Sequence, residues 1–551
     1  MSTQTLPDPS AALAAVRDYH QRTKHRFTAY ARGPGSLDWD AQPAPFRHFD
    51  GAEQIALPRL AALEPCSALH AALQRPFAAL DEPQPPLPAD LASIGALLQL
   101  SLGLTAWKSY GPDRWAVRAN PSSGNLHPTE AYLLVGGITG LADGLYHYRP
   151  ENHALELRAT HATTADGPRL AILLTSVMWR EAWKYGERAF RYCQLDSGHA
   201  AGALRYAAAA LGWALAEQPQ VGSATLAQLA GSDRLSEFPA RKRAESEVEE
   251  AEILLAVGLT GAPPAPLAVA ELQALAASAQ WHGVASSIDR QPMYSWPLIA
   301  EVAAASRRDD GAVPPAAVLA PPRSRALGEA AQPLQQLILG RRSAQRFDHQ
   351  HHMKLAQFTA LLARLQPAAG VPWDVFAATP RAALLLFVSR VDGLVPGLYL
   401  LPRSEAQLSV LRPLVAERFR LWPIPGIESL LQLTALEPVT LARTARALHC
   451  HQELASTACF AVGMLCEFDA ALAAGPAAYR ALHREAGLIG QALYLEAEVH
   501  GLRGTGIGCF FDDPVHELLG LAGTAWQSLY HFTIGRALDD ARIETAPAYT
   551  D

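Results

Sequence analysis

The sequence predicts an α+β chain of two related domains fused as a pseudo-dimer, each a mainly antiparallel sheet packed with helices. Three observations predict it. A strand–turn–strand segment occurs twice. A helix rich in small residues follows each occurrence. The polar motifs suited to holding a ligand are divided between the two copies instead of being duplicated.

The first repeat reads AYLLVGGITGLADGLYHY from Ala131 and LLLFVSRVDGLVPGLYLL from Leu384. Val135, Gly140, Gly144, Leu145 and Tyr146 align with Val388, Gly393, Gly397, Leu398 and Tyr399, always 253 residues apart. An apolar run, a turn and a second apolar run read as a buried strand followed by another. The second repeat reads DSGHAAGALRYAAAALG from Asp196 and EAGLIGQALYLEAEVHG from Glu485. Gly198, Leu204 and Gly212 align with Gly487, Leu493 and Gly501 at a constant offset of 289. Small residues at helical spacing suit a helix lying close on another helix. Ala-rich helices resemble one another by chance, but two matches in the same order point to a duplication.

The elements follow in order. Residues 1–90 are rich in Pro, Arg and aromatics and lack clear periodicity, so they are expected to form an N-terminal extension wrapping the first copy. Residues 91–260 hold the first domain and 331–551 the second. Between them, 261–330 combine GAPPAPLA and RRDDGAVPPAAVLAPPRSR with an aromatic patch from Trp281 to Trp296, the composition of a linker with an ordered arm.

Composition narrows the function. Of 551 residues 49% are hydrophobic and 18% charged, enough for a packed core and against disorder over most of the chain. A net charge of −7 without a long basic run gives a nucleic acid or an anionic membrane no electrostatic handle. MSTQTLPDPS has neither the cationic start nor the apolar core of a secretory signal. The longest Ala-rich apolar stretch, Tyr206 to Ala216, is far short of the roughly 18 residues of a membrane span. Six cysteines without a CxxC argue for a reducing compartment, and a cytoplasmic setting is expected.

The first copy holds Arg118-Ala-Asn-Pro-Ser-Ser-Gly-Asn-Leu-His-Pro. Pro121, Ser122, Ser123, Gly124 and Asn125 make a tight loop whose backbone N–H groups and hydroxyls can approach a flat polar ring system. In isolation such a stretch also reads as an ordinary turn. At the 253 offset the second copy has DVFAATPR from Asp374 instead. The first copy also holds Lys184 and Tyr185 in WKYGERAFRY, where the second has Ala473 and Ala474. A lysine beside a tyrosine can abstract a proton if burial lowers the lysine pKa; otherwise the pair is a solvated charged face.

The second copy opens with Gly340-Arg-Arg-Ser-Ala-Gln-Arg-Phe, in which Arg341, Arg342 and Ser343 suit a phosphate, unless the arginines are merely solvated. Aligning LAQFTALL from Leu355 on LASIGALL from Leu91 puts Phe77-Ala78-Ala79 at those positions in the first copy. The second copy further has GLRGTGIGCFF from Gly501, where the first has LAEQPQVG. The dinucleotide fingerprint needs a strand before and a helix after it. Here a helix precedes, so Gly506, Ile507 and Gly508 are read as a loop that lets backbone approach a planar ligand. IGRALDDAR, with Arg542, closes the second copy. His349, His351 and His352 lack the carboxylate or cysteine that would complete a metal site. Cys459 and Cys466 read as core, and Cys193 and Cys509 as small buried residues flanking the site. Neither copy is complete alone; facing each other, the two would assemble one site.

These pieces resemble the nitroreductase superfamily, and within it the SagB-type, thiazole/oxazole-forming dehydrogenases. The matching stretches are RANPSSGNLHPTEAYL, GLYHYRPENHAL, WKYGERAFRYCQLDSGHA, LGRRSAQRF, GTGIGCFFDD and GRALDDARIETAPAY. The resemblance implies an α+β flavoenzyme with FMN at a dimer interface, here an interface within one chain. It implies that Arg341 and Ser343, with Arg542, hold the FMN phosphate. Pro121, Ser122, Ser123 and Asn125 would line the isoalloxazine from the first copy, and Gly506, Ile507 and Gly508 from the second, with Arg118, Gly124 and Arg342 also binding the cofactor. Lys184 and Tyr185 match the pair linked to azoline dehydrogenation. One departure is Gln345, where a basic residue often stands two after the serine.

The implied chemistry is oxidation of an azoline or similar heterocycle, with hydride passing to flavin and O2 restoring it. The alternatives are an NAD(P)H-dependent reductase of nitro compounds or quinones, and a degenerate flavoprotein that only binds a peptide or partner. A peptide, a carrier-bound heterocycle and a free small molecule remain open as substrates, with other enzymes of a biosynthetic cluster as partners.

Overall fold

The computed structural model describes residues 8–161, 167–240, 244–315, 317–322, 325 and 330–550. Position 316 and most of 323–329, within the expected linker, lie outside the described residues, as do residues 1–7, on which the reading of no secretory signal rests in part.

The chain begins with α1 (Pro9–Arg22), whose Pro9 stands at the first helical position and whose Asp8 accepts from the Ala11 N–H at 3.2 Å. Then come α2 (Leu91–Ser101), capped by Asp90 through Ser93 N at 2.8 Å, and the hairpin β1 (Leu104–Tyr110) and β2 (Asp113–Arg118). The first large sheet contains β3 (Thr129–Gly136), β4 (Gly144–Arg149), β5 (Ala154–Thr160), β6 (Arg169–Ser176), β7 (Ala214–Glu217) and β8 (Glu250–Gly258). Between β6 and β7 lie α3 (Met178–Tyr185) and the 22-residue α4 (Ala189–Ala210).

The second half repeats this. After α5 (Leu334–Gly340) and α6 (Leu355–Arg364) come β9 (Ala382–Val388), β10 (Gly397–Leu401), β11 (Ile427–Ala435) and β12 (Phe460–Glu467). They are followed by α7 (Ala478–Val499), β13 (Arg503–Ile507), α8 (Asp512–Leu519), β14 (Trp526–Gly535) and the short β15 (Glu544–Ala546). The strand orders are β5-β4-β3-β6-β8-β7 and β11-β10-β9-β12-β14-β13, with short edge strands beyond β5 and β11. Every pairing in both sheets is antiparallel. The strand starts Thr129 and Ala382 keep the 253 offset, and the helix starts Ala189 and Ala478 the 289 offset.

The middle strands are buried on both faces, which is why they read as unbroken apolar runs. Alternate residues feed different cores: Leu133 and Val135 join Leu384, Leu386 and Val388 in one central core with α4 and α7, while Tyr132 and Leu134 face a separate outer layer. Within the central core α4 and α7 touch backbone to backbone. A Cβ on Gly198 would run into the Arg484 backbone, and one on Gly487 into that of Leu195. Leu195 and Arg484 are themselves 289 residues apart, so the contact is reciprocal, as at a two-fold axis. The aligned Arg191 and Arg480 each cross to a buried carboxylate of the other half, Asp512 at 2.8 Å and Glu252 at 2.6 Å.

Two expectations change. The segment before residue 90 does more than wrap the first copy: α1 clasps the second half as well, through Arg17–Asp469 at 2.6 Å and the His20 ring on Gln527 at 3.0 Å, with Lys24–Asp513 just beyond it at 2.7 Å. In return β15 pairs with β1 of the first half. Most of the glycine-rich run is not a loop but the edge strand β13, hydrogen-bonded to β14 from Arg503 to Ile507, because that pairing satisfies its backbone; Gly508 lies just beyond the strand. Among the described residues no helix is long and apolar enough to cross a membrane.

Candidate active site

A cavity of about 350 Å³ lies between the halves. The first half contributes Lys108, residues 118 and 120–125, Tyr185 and the α4 residues Tyr192, Asp196 and His199. The second contributes Arg341, Arg342, Ser343, Tyr494 and Gly506 to Cys509. Residues up to 422 positions apart in sequence are thus brought to one cavity (Lys108 to Tyr530).

The Pro121–Asn125 loop is strained and pinned. Gly124, Asn125 and His127 all have left-handed φ, of 59°, 59° and 54°. Buried Asp196 holds the turn by accepting from Ser122 Oγ at 2.7 Å, Ser123 Oγ at 3.0 Å and Ser123 N at 3.1 Å. Burial outweighs these bonds and pushes the Asp196 carboxyl up to about 7. Asn125 is spent on the loop itself, donating to Ala116 O at 2.8 Å.

Lys184 and Tyr185 stand directly beneath this loop. A Cβ on Gly124 would lie 2.5 Å from Tyr185 Oη and 3.2 Å from Lys184 Nζ, so only glycine fits there. The Lys184 ammonium has no ion pair among the described residues and rests 5.2 Å above the Trp39 ring and 5.4 Å from that of Tyr185. Burial lowers its pKa, opposed by the charge of Glu181 one turn earlier. Burial likewise drives the Tyr185 hydroxyl well above its ordinary value, so it stays protonated. Glu181 is wholly buried, both of its oxygens lack a hydrogen-bond partner within normal distance, and burial holds its carboxyl well above the usual range.

The far end of the cavity is cationic. Arg341 is buried and donates to Ala119 O at 3.1 Å and Arg118 O at 3.0 Å, while its Nη1 is buried without a partner. Arg342 lies beside it with its pKa pushed down to about 10 by burial and by the charges of Arg341 and Arg503. Lys108 is lowered for the same kind of reason, burial first and then Arg342 and Arg503. Cations that depress one another are short of an anion. Ser343 meets Tyr494 Oη at 2.9 Å, which accepts from Gly506 N at 3.1 Å. Lys108 and Gln345 both line the cavity. The wall opposite is kept bare: a Cβ on Gly506 would strike the Tyr530 hydroxyl, and one on Gly508 the Tyr192 ring.

Three predicted residues stand apart. Lys184 reaches the Gly124 loop but is not among the residues that line the cavity. Arg542 is exposed, paired with Asp540 at 2.6 Å and lying over Tyr110, outside the cavity lining; its own neighbour two residues back captures it. Arg118 lines the cavity but turns its guanidinium inward, to Pro45 O at 2.9 Å and Thr129 O at 3.3 Å. Lys108, Glu181, Asp196 and His199 were not singled out from sequence. Asp196 alone had a visible signal, a lone carboxylate inside an apolar repeated helix.

The position related by the repeat also holds a cavity, of about 290 Å³. There Phe77 stands where the second half has Arg341, and Asp81 where it has Gln345. Asp81 is paired with Arg364 at 2.5 Å and Arg325 at 3.3 Å, and Arg205 with Asp374 at 2.8 Å. Its cations are neutralised by the chain itself.

Residues 338–536 match the family described as Nitroreductase family. MJ1384 of Methanocaldococcus jannaschii, which carries a nitroreductase name, is 26% identical over 137 residues, 23% of this chain and 66% of that protein. The trifolitoxin-processing protein TfxB of Rhizobium leguminosarum bv. trifolii is 31% identical over 136 residues, 21% of this chain and 36% of that protein. The chain therefore spans less than two thirds of either relative. A crystal structure from Anabaena variabilis, again under a nitroreductase name, superposes with a TM-score of 0.67 at 22% identity, covering 95% of this chain and 99% of that one. The fold is shared over 95% of this chain.

Proposed function

We propose that this chain, which carries a nitroreductase-family domain over residues 338–536, is an FMN-dependent dehydrogenase of the SagB type that oxidises an azoline or a similar heterocycle. The two halves act as an intrachain pseudo-dimer with one composite site. The donor set fits the cofactor: an unpartnered buried Arg341 Nη1 and the Lys108 and Arg342 charges suit a phosphate, and the pinned loop and the bare glycine strand suit a flat ring. Arg341, Arg342, Ser343 and Lys108 would hold the phosphate, and Pro121–Asn125 and Gly506–Gly508 the ring system. Bound there, FMN supplies the acceptor for a hydride.

The residues of the chain do the rest. Asp196 fixes the loop, and with it the position of the ring relative to Lys184. Lys184, lowered by burial and lacking an ion-pair partner, takes the proton from the atom next to the one that loses hydride. Tyr185, kept protonated, donates a hydrogen bond to a substrate heteroatom. The single observation that carries this reading is the placement of Lys184 Nζ against the Gly124 loop. The similarity to TfxB, a protein named for processing trifolitoxin, supports a peptide as the substrate.

Replacing Lys184 with alanine should leave FMN bound and dithionite-reducible while lowering turnover of a model azoline by about 10²–10⁴-fold. Flavin reduction by NADPH that is fast and indifferent to K184A, with no azoline turnover by the wild type, would instead identify an NAD(P)H-dependent reductase.

A further inference from the structure

Of the six cysteines, Cys450 and Cys509 are the two that meet, and both are only partly buried. Cys509 ends the glycine wall and lines the cavity. Cys450 follows the helix Pro438–Leu448 in a left-handed turn, with φ of 51° there and 61° at His451. Two hydrogen bonds hold the segments side by side, Phe511 N to Leu448 O at 2.9 Å and Gln452 Nε2 to Cys509 O at 3.2 Å. The Cys509 thiol interacts with the Cys450 thiol and with the His25 ring.

The surroundings make the two thiols unequal. His25 Nδ1 accepts from Ala31 N at 2.9 Å, so a neutral His25 carries its proton on Nε2 and is a donor there. Arg188 donates to Gly508 O at 3.1 Å, the carbonyl just before Cys509, while also pairing with Asp512 at 3.0 Å. The remaining titratable neighbours, Tyr30, Tyr185 and Tyr192, are neutral phenols with raised pKa values. Contact with Cys450 first, then His25 and Arg188, lowers the Cys509 thiol against the opposing effect of burial. Cys450 is pushed up by the same contact. A thiolate with an accessible cavity face beside a protonated thiol is the arrangement of an attacking and a resolving cysteine.

We propose that Cys509 and Cys450 form a thiol–disulfide exchange site on the cavity wall, with a low-molecular-weight disulfide as substrate. The Cys509 thiolate attacks one sulfur of RS–SR, forming Cys509–S–SR and releasing RS⁻. Cys450 passes its proton to the RS⁻ already released and attacks the Cys509 sulfur, forming the Cys450–Cys509 disulfide and releasing the second RS⁻. The substrate disulfide gains two electrons and the cysteine pair loses two. The bond then ties the 448–452 turn to the wall that ends in Cys509.

The test treats the holoprotein with glutathione disulfide and maps peptides without reduction. The wild type should lose two thiols, retain no glutathionyl group and yield a Cys450–Cys509 cross-link. C450S should trap one glutathionyl group on Cys509, removable by dithiothreitol, and C509S should trap none on Cys450. In the fully reduced wild type, peptide mapping should show Cys509 alkylated at a high rate well below the midpoint near 8.5 of an ordinary thiol. Wild-type protein that keeps a stable mixed disulfide on Cys509, or that does not react at all, overturns the proposal. So does alkylation of Cys509 that follows the ordinary midpoint. If C450S does not fold, the wild-type cross-link map decides alone.

Discussion

Arg341→Ala separates what a buried arginine does for the fold from what it does for a ligand. The sequence alone suggests that Arg341 is a phosphate grip whose loss leaves folding intact. The structure gives it two jobs. Its Nε and Nη2 satisfy the carbonyls of Ala119 and Arg118, which R341A would strand, and its guanidinium lies 4.8 Å over the Tyr494 ring. A stranded buried acceptor costs about 1–3 kcal/mol, so the apoprotein should lose roughly 2–6 kcal/mol. Its Nη1 is buried without a hydrogen-bond partner and is the atom the proposal gives to the phosphate. Losing one charge-assisted contact there costs about 1.5–3 kcal/mol, or roughly ten- to a hundred-fold in FMN affinity. Denaturant unfolding of the apoprotein measures the first quantity, and quenching of FMN fluorescence on titration measures the second. A destabilised apoprotein that still binds FMN within about twofold of wild type would refute the phosphate assignment and leave Arg341 a purely structural residue.

Other perturbations test other links. Asp196, with a folded value of about 7 against about 3.9 unfolded, binds its proton more tightly in the native chain. Its contribution to stability is full below about pH 4 and is lost as the pH rises through 7, on the order of 4 kcal/mol in all. D196N, which cannot ionise, should flatten that part of the stability–pH curve; an unchanged curve would contradict the shift. Gly487→Ala should destabilise the chain by about 1–3 kcal/mol or more, because its Cβ meets the Leu195 backbone of the facing helix, despite alanine's better helix propensity. A neutral or stabilising G487A, read by thermal unfolding, would mean that α4 and α7 are not in backbone contact.

What was legible in the sequence is what repeats locally. The paired strands around Val135 and Val388, and the helices around Gly198 and Gly487, carry their periodicity within a few turns of chain, so their type and relation could be read. Loops with unusual composition, such as Pro121–Asn125, were legible for the same reason. Contacts between remote segments were not. Lys108 reaches the cavity only because β1 pairs with β2 and β15, and nothing in its own neighbourhood marks it. Asp196 clamps serines 73 and 74 residues away. Arg542 stood in a matching motif, yet Asp540 holds it at the surface. The sequence reads Cys509 as a small buried residue because Cys450, 59 positions earlier, is not a sequence neighbour.

The central claim is that the two halves build one ligand site from complementary parts, while the related cavity closes its charges on itself through Asp81, Arg364 and Arg325. Flavin stoichiometry tests it most directly. Protein reconstituted with excess FMN and freed of unbound cofactor should release, on denaturation, one FMN per chain. A reproducible value near two would show that both cavities hold flavin and would contradict the composite-site account.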